Sequence, residues 1–164
     1  MPLLRSTVVM SALEEPAFVR RISLSLPLMA VLTGAGLRLY RAAVLQFGWS
    51  DRWIWVGGTF IAGLMFLFLM ATLHLGNHPV RSWTWRAPLF ALLESATEIA
   101  VSLGLTLAGL ERIGSLTATL EDWQSSSTRI LFFRVVGIPL FALVLAIVAT
   151  LVRLALLPRK PVNP

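Results

Sequence analysis

Two carboxylates, Glu94 and Glu98, stand four residues apart inside the apolar segment APLFALLESATEIAVSLGLTLAGL. On a helix that spacing puts them on one face, and Ser102 and Thr106 continue the same face at the same interval. An acid in apolar sequence pairs with a base, relays a proton or binds a cation, because a carboxylate left facing hydrocarbon costs at least about 2.5 kcal/mol. The bases available at matching depth are few. At about 1.5 Å per residue from Ala87, Glu98 lies roughly 16 Å along the helix and Glu94 about 10 Å. Arg38, roughly 24 Å along the first apolar segment, is the expected partner of Glu98, reached through long side chains, and Arg134 near the start of the last is the competing one. His74 is the expected partner of Glu94, which completes a polar network of Glu94, Glu98, Arg38, Arg134 and His74.

His74 and His78 are also four apart, and with Glu94 and Glu98 they could supply nitrogen and oxygen ligands to a metal if both pairs lay on helices that met. Against this, the sequence GNHP ends a helix near Leu75 and leaves His78 in a loop. His74 alone could ligate a haem or a chlorophyll-type pigment, the alternative being an interfacial histidine with no ligand. The serines and threonines of this region have no histidine or aspartate at a recognisable spacing that would make a nucleophile, so interhelical hydrogen bonds are expected of them. The chain has no cysteine, which removes thiolate metal sites, iron–sulfur clusters and cysteine nucleophiles. No catalytic residue is assigned, and the chain is read as a non-enzyme.

The elements that position these groups follow from composition. Of the 164 residues, 57% are hydrophobic and 13% charged, half the charge content of about 25% usual in a soluble domain. Such a chain reads as an all-α integral membrane protein with lipid as the solvent of its apolar surface. Four spans are predicted, at about 22–47, 53–75, 87–110 and 130–157, in a transmembrane domain 22–157. Trp53 and Trp55 mark an interface at the start of the second span, and Pro139 is expected to kink the fourth. Segment 1–21 is read as an interfacial segment, with Ser11 and Glu14 at capping-box spacing. Segment 158–164 is a tail. A second short interfacial helix is expected from Leu116, Leu120 and Trp123. A removed signal peptide is the rival reading of the first span, since Arg20 and Arg21 precede an apolar stretch ending in Gly34, Ala35 and Gly36. The acidic Glu14 and Glu15 argue against it.

The net charge of +6 comes from thirteen arginines and one lysine. They sit at the ends of apolar runs and form no basic face, which excludes nucleic acid and fits topology. Arg5, Arg20, Arg21, Arg81, Arg86, Arg153, Arg159 and Lys160 fall on the side of the termini, against Arg52, Arg112 and Arg129 opposite. This bias sets both termini in the cytoplasm of a bacterial-type inner (plasma) membrane. The loop RSWTWR interleaves Arg81 and Arg86 with Trp83 and Trp85, a pattern suited to anionic lipid headgroups or to a partner protein.

Ala96, Ala100, Gly104 and Ala108 form a second ladder on the third span, offset two residues, about 200°, from the acidic one. Small residues at this interval let helix backbones approach closely, so the third span is expected to have neighbours on both faces. With no self-sufficient active site, the chain reads as a non-catalytic accessory or structural subunit of a larger membrane complex, with other integral membrane subunits as partners and a photosynthetic or respiratory, energy-transducing assembly as the expected setting. The alternatives are a small proton or cation transporter or channel component using Glu98 and Glu94, and a metal- or pigment-binding protein using His74.

Overall fold

The computed structural model describes residues 25–47, 53–113 and 116–156. It is mostly helical, with four long helices, α1 (Leu26–Phe47), α2 (Trp53–Gly76), α3 (Trp83–Leu107) and α4 (Leu120–Leu156), and a two-stranded hairpin, β1 (Arg112–Ile113) and β2 (Leu116–Thr117), between α3 and α4. Each long helix, or its core, is long and apolar enough to cross a membrane. The expected interfacial segment 1–21 and tail 158–164 lie outside the described residues.

Consecutive helices run in opposite directions. Gly36 of α1 faces Phe66 of α2 and Leu37 faces Gly63, His74 of α2 stacks on Phe90 of α3, and Arg134 of α4 reaches back to Glu94 and Glu98. Helix α3 is the centre, packed mainly between α1 and α4, while α2 lies against α1 and touches α3 and α4 more lightly. Burial follows the same division. Of the most apolar window of each helix, 39% is buried in α1 and 33% in α3, but only 11% in α2 and in α4. Phe60 and Met65 of α2 and Phe133, Leu140 and Leu143 of α4 are more than half exposed, a surface that suits hydrocarbon and not water.

The tightest contact joins α1 to α3. Ala30, Thr33, Gly34, Leu37 and Arg38 line one buried face of α1, with the i, i+4 small pair Ala30 and Gly34 at its middle. A Cβ at Gly34 would overlap the backbone oxygen of Glu94 and would lie 3.0 Å from the Glu98 nitrogen and 3.1 Å from the Thr97 Cβ. Of the small residues that resemble a cleavage site in the sequence, Gly34 is therefore the point of closest packing between α1 and α3.

Besides shifts of three or four residues at the start of α1 and the end of α3, three features differ from the sequence reading. Helix α3 begins at Trp83, after a 3-10 turn at Val80–Ser82, so most of RSWTWR is the first turn of a helix and not a loop. Helix α4 begins at Leu120, ten residues before the predicted span, because Thr119 and Asp122 cap it reciprocally. The Asp122 carboxylate accepts from the Thr119 N–H at 3.0 Å and from its hydroxyl at 2.7 Å, and the Asp122 N–H donates to the Thr119 Oγ1 at 3.3 Å, a capping box with aspartate in the acidic position. The interfacial helix expected around Leu116 is instead the hairpin, with Arg112 opposite Thr117 and Ile113 opposite Leu116. Of the three residues that the periodicity grouped, Leu116 falls in β2, while Leu120 and Trp123 belong to the start of α4.

What turns the chain into that hairpin is the end of α3. Gly109 has φ +69°, its N–H donates to the Thr106 carbonyl at 3.0 Å, and the Leu110 N–H donates to the Leu105 carbonyl at 2.8 Å. This is a Schellman motif with glycine in the left-handed position. The Glu111 carbonyl then accepts from the Ala118 N–H at 2.9 Å, which holds Glu111 under the bundle.

Candidate functional site

The acidic stripe of α3 is its buried face. Glu94, Glu98, Ser102 and Thr106 are all buried, together with Ala87, Phe90, Ala91 and Ser95. Around Glu98 five charged side chains meet. Arg134 from α4 donates through Nη2 to the Glu98 Oε2 at 3.1 Å and through Nε to the same oxygen at 3.4 Å, and its Nε lies 3.5 Å from the Glu94 Oε1. Arg38 from α1 approaches the Glu98 Oε1 through Nη1 at 4.0 Å. Both arginines expected beside Glu98 are thus within ion-pair distance of it.

The strongest pair was not expected. Arg38 holds Glu111 in a fork, Nη2 to Oε1 at 2.8 Å and Nε to Oε2 at 3.1 Å, the planar two-point geometry that guanidinium and carboxylate share. Arg38 is 3% exposed and Glu111 3%. Glu111 reads in sequence as an ordinary loop acid, and its burial depends on the Schellman reversal two residues earlier, for which Gly109 is the only local signal. The cluster therefore contains three carboxylates, Glu94, Glu98 and Glu111, and two guanidiniums. Neither oxygen of Glu94 accepts a hydrogen bond among the described residues, so its tie to Arg134 is an ion pair without hydrogen-bond geometry.

His74 is not part of this cluster. The residue is 3% exposed, its ring stacked on Phe90 at 5.9 Å and tilted against His78 at 5.0 Å between centroids, with no hydrogen bond or ion pair to Glu94 among the described residues. Its Nε2 is buried without a hydrogen-bond partner among the described residues. His78 sits in the turn after α2, its Nδ1 3.0 Å from the His74 carbonyl. Among the described residues no three histidine or acidic side chains converge as metal ligands, so His74, His78, Glu94 and Glu98 do not assemble the set considered from the sequence.

The serines and threonines of α3 differ from expectation too. Ser95 and Thr97 donate to Ala91 and Leu93 of their own helix, and Thr106 to Ser102, while the Ser102 hydroxyl is buried without a partner. Backbone carbonyls one turn away outcompete the neighbouring helix. Ala96, Ala100, Gly104 and Ala108 are all exposed, and a Cβ on Gly104 would meet nothing within 4 Å. The packing expected of this ladder is not made within the described residues, since α1 and α4 are drawn to the acidic face, where unpaired carboxylates would be most costly. Of the RSWTWR group, Trp83 is buried and donates from Nε1 to the His78 carbonyl at 3.0 Å. Arg81 and Trp85 are exposed, and the Arg86 guanidinium lies over the Trp85 ring at 4.6 Å.

Beside the cluster, between α1, α2 and α4, lies a cavity of about 630 Å³. Glu98 and Arg134 form its inner polar wall, Arg41, Arg129 and Tyr40 its outer one, and Phe60, Leu64, Leu67, Phe68 and Phe133 are among its apolar walls.

No protein-family model matches this chain, and neither does any curated protein or solved structure. The functional reading therefore rests on the geometry.

Proposed function

We propose that the chain is a non-catalytic accessory subunit of a larger membrane assembly, inserted with both termini on the cytoplasmic side of a bacterial-type inner membrane. The observation that carries this reading is the uncovered ladder of α3. The opposite face of the same helix is filled by α1, α4 and the ion cluster, whereas Ala96, Ala100, Gly104 and Ala108 offer a smooth strip with open space above Gly104. A transmembrane helix of another subunit could approach such a strip to backbone distance. The buried arginine–carboxylate contacts fit a scaffold, since they cross-link α1, α3 and α4 and leave no nucleophile beside a general base. The test is isolation of the full chain from its native membrane in mild detergent, as wild type and as Ala100→Leu/Gly104→Leu. The wild type is expected to elute with stoichiometric membrane partners and the variant to lose them while keeping its helical content. Elution of the wild type as a lone monomer overturns the proposal.

A second reading, a small proton or cation transporter or channel component, draws on Glu94, whose oxygens accept no hydrogen bond, and on the cavity that reaches Glu98. It calls for ion flux by the pure protein in liposomes that Glu98→Gln abolishes.

A further inference from the structure

The cavity between α1, α2 and α4 has a charge pattern that the ion cluster does not use. Glu98 is the one carboxylate among the residues that line it, and it is already shared by Arg134 and Arg38. Arg41 and Arg129 also line it, both exposed, and neither has a carboxylate within ion-pair distance among the described residues. They lie outward of Arg38 and Arg134, toward the end of the bundle that carries the hairpin. Apolar walls are formed by Phe60, level with Arg41, and farther in by Leu64, Leu67, Phe68 and Ile138. A cation pair at the mouth and an apolar trough behind it match a molecule with an anionic head and a hydrocarbon tail. The volume of about 630 Å³ falls within the roughly 300–1,000 Å³ of sites that enclose a small ligand.

We propose that this cavity binds one anionic phospholipid, its headgroup phosphate between Arg41 and Arg129 and one acyl chain between α2 and α4. Under the proposed topology this is the end of the bundle opposite the termini, so the preference comes from the two guanidiniums acting on the net charge of the headgroup, each arginine contributing on the order of fivefold in affinity. Two arginines give a preference over a zwitterionic lipid on the order of thirtyfold. The site is separate from the exposed ladder of α3, so it stands or falls independently of the accessory-subunit reading.

The experiment uses the full chain, purified and delipidated in mild detergent and titrated with dioleoylphosphatidylglycerol or dioleoylphosphatidylcholine, with bound lipid counted by native mass spectrometry. One phosphatidylglycerol per chain, favoured on the order of thirtyfold, is expected. Arg41→Gln/Arg129→Gln, two substitutions at exposed positions, is expected to abolish the preference while helical content stays unchanged. Gly137→Leu tests the trough: Gly137 lines the cavity and a Cβ there meets nothing within 4 Å, so the leucine side chain starts from open space, occupies part of the trough and is expected to weaken both lipids. Inorganic phosphate at millimolar concentration is expected not to displace the lipid. Equal retention of the two lipids, an unchanged preference in the double arginine variant, undiminished binding in Gly137→Leu, or displacement by phosphate alone each overturns the proposal.

Discussion

Arg38 stands between two carboxylates, and the geometry says that they are unequal. Glu111 takes two contacts from it, at 2.8 and 3.1 Å, and Glu98 takes one at 4.0 Å. The gross attraction between unit charges is about 6 kcal/mol at the shorter separation and about 4 kcal/mol at the longer, with an effective dielectric constant of about 20. Desolvation offsets most of either. Only Glu111 adds charge-assisted hydrogen bonds, which are directional and roughly twice as strong as neutral ones. Double-mutant cycles with Arg38→Gln, Glu111→Gln and Glu98→Gln should therefore give a coupling of about 2–3 kcal/mol for Arg38 with Glu111 and at most about 1 kcal/mol for Arg38 with Glu98. Glu111→Gln alone should cost about 3 kcal/mol, because it leaves Arg38 buried beside one carboxylate that it does not hydrogen-bond. The assay is reversible unfolding of the full chain in mixed micelles by increasing dodecyl sulfate, followed by far-ultraviolet circular dichroism. A coupling to Glu98 equal to or larger than that to Glu111 would refute the reasoning, since it would mean that the hairpin does not anchor the cluster.

Two further predictions test the elements around the cluster. Gly34→Ala pushes a methyl group into the backbone of α3 at Glu94 and Glu98, and in the same micelle assay it is expected to destabilise by about 1–3 kcal/mol, whereas Gly104→Ala, with nothing within 4 Å, should be close to neutral. Thr119→Ala removes the hydroxyl that caps α4, so the Asp122 amide, which donates to it at 3.3 Å, should exchange with solvent faster while amides in the middle of α4 keep their protection.

The four spans were legible because apolar length is a one-dimensional property. Residues 53–75 could be bounded to within one residue of α2 (Trp53–Gly76). Depth along a span was nearly as legible, and it set Arg134 near Glu98 and Arg38 within about 8 Å of it, close enough for long side chains to meet, because a helix converts sequence separation into distance at a fixed rate. Choosing a face was harder. The α3 sequence offers two ladders 200° apart with equal regularity, and sequence alone does not say which one a two-sided shortage of neighbours leaves bare. In the structure the carboxylates take α1 and α4, because small residues lose little in contact with lipid and carboxylates lose much. Least legible were Glu111 and His74. The burial of Glu111 follows from a left-handed glycine two positions away, and depth placed His74 near Glu94 without its azimuth, which turns it to Phe90 and His78 instead.

The distribution of charge also explains why the cavity lies where it does. Arg38, Arg134 and the three glutamates bind α1, α3, α4 and the hairpin through contacts that are costly to break in a medium of low dielectric. Helix α2 contributes no charged group to that cluster and is held by apolar packing, most of its surface being left exposed. Between apolar helices in lipid such packing has no hydrophobic drive, since a methylene loses little by exchanging a protein neighbour for an acyl chain. Of the four helices, α2 is thus the one whose contact with α4 a lipid chain can replace at least cost. The cavity forms along that contact, and the arginines left outside the ion cluster, Arg41 and Arg129, stand at its mouth. The clamp of α1, α3 and α4 and the space beside α2 are two consequences of a single fact, that among the described residues buried charge is confined to three of the four helices and to Glu111 at the start of the hairpin.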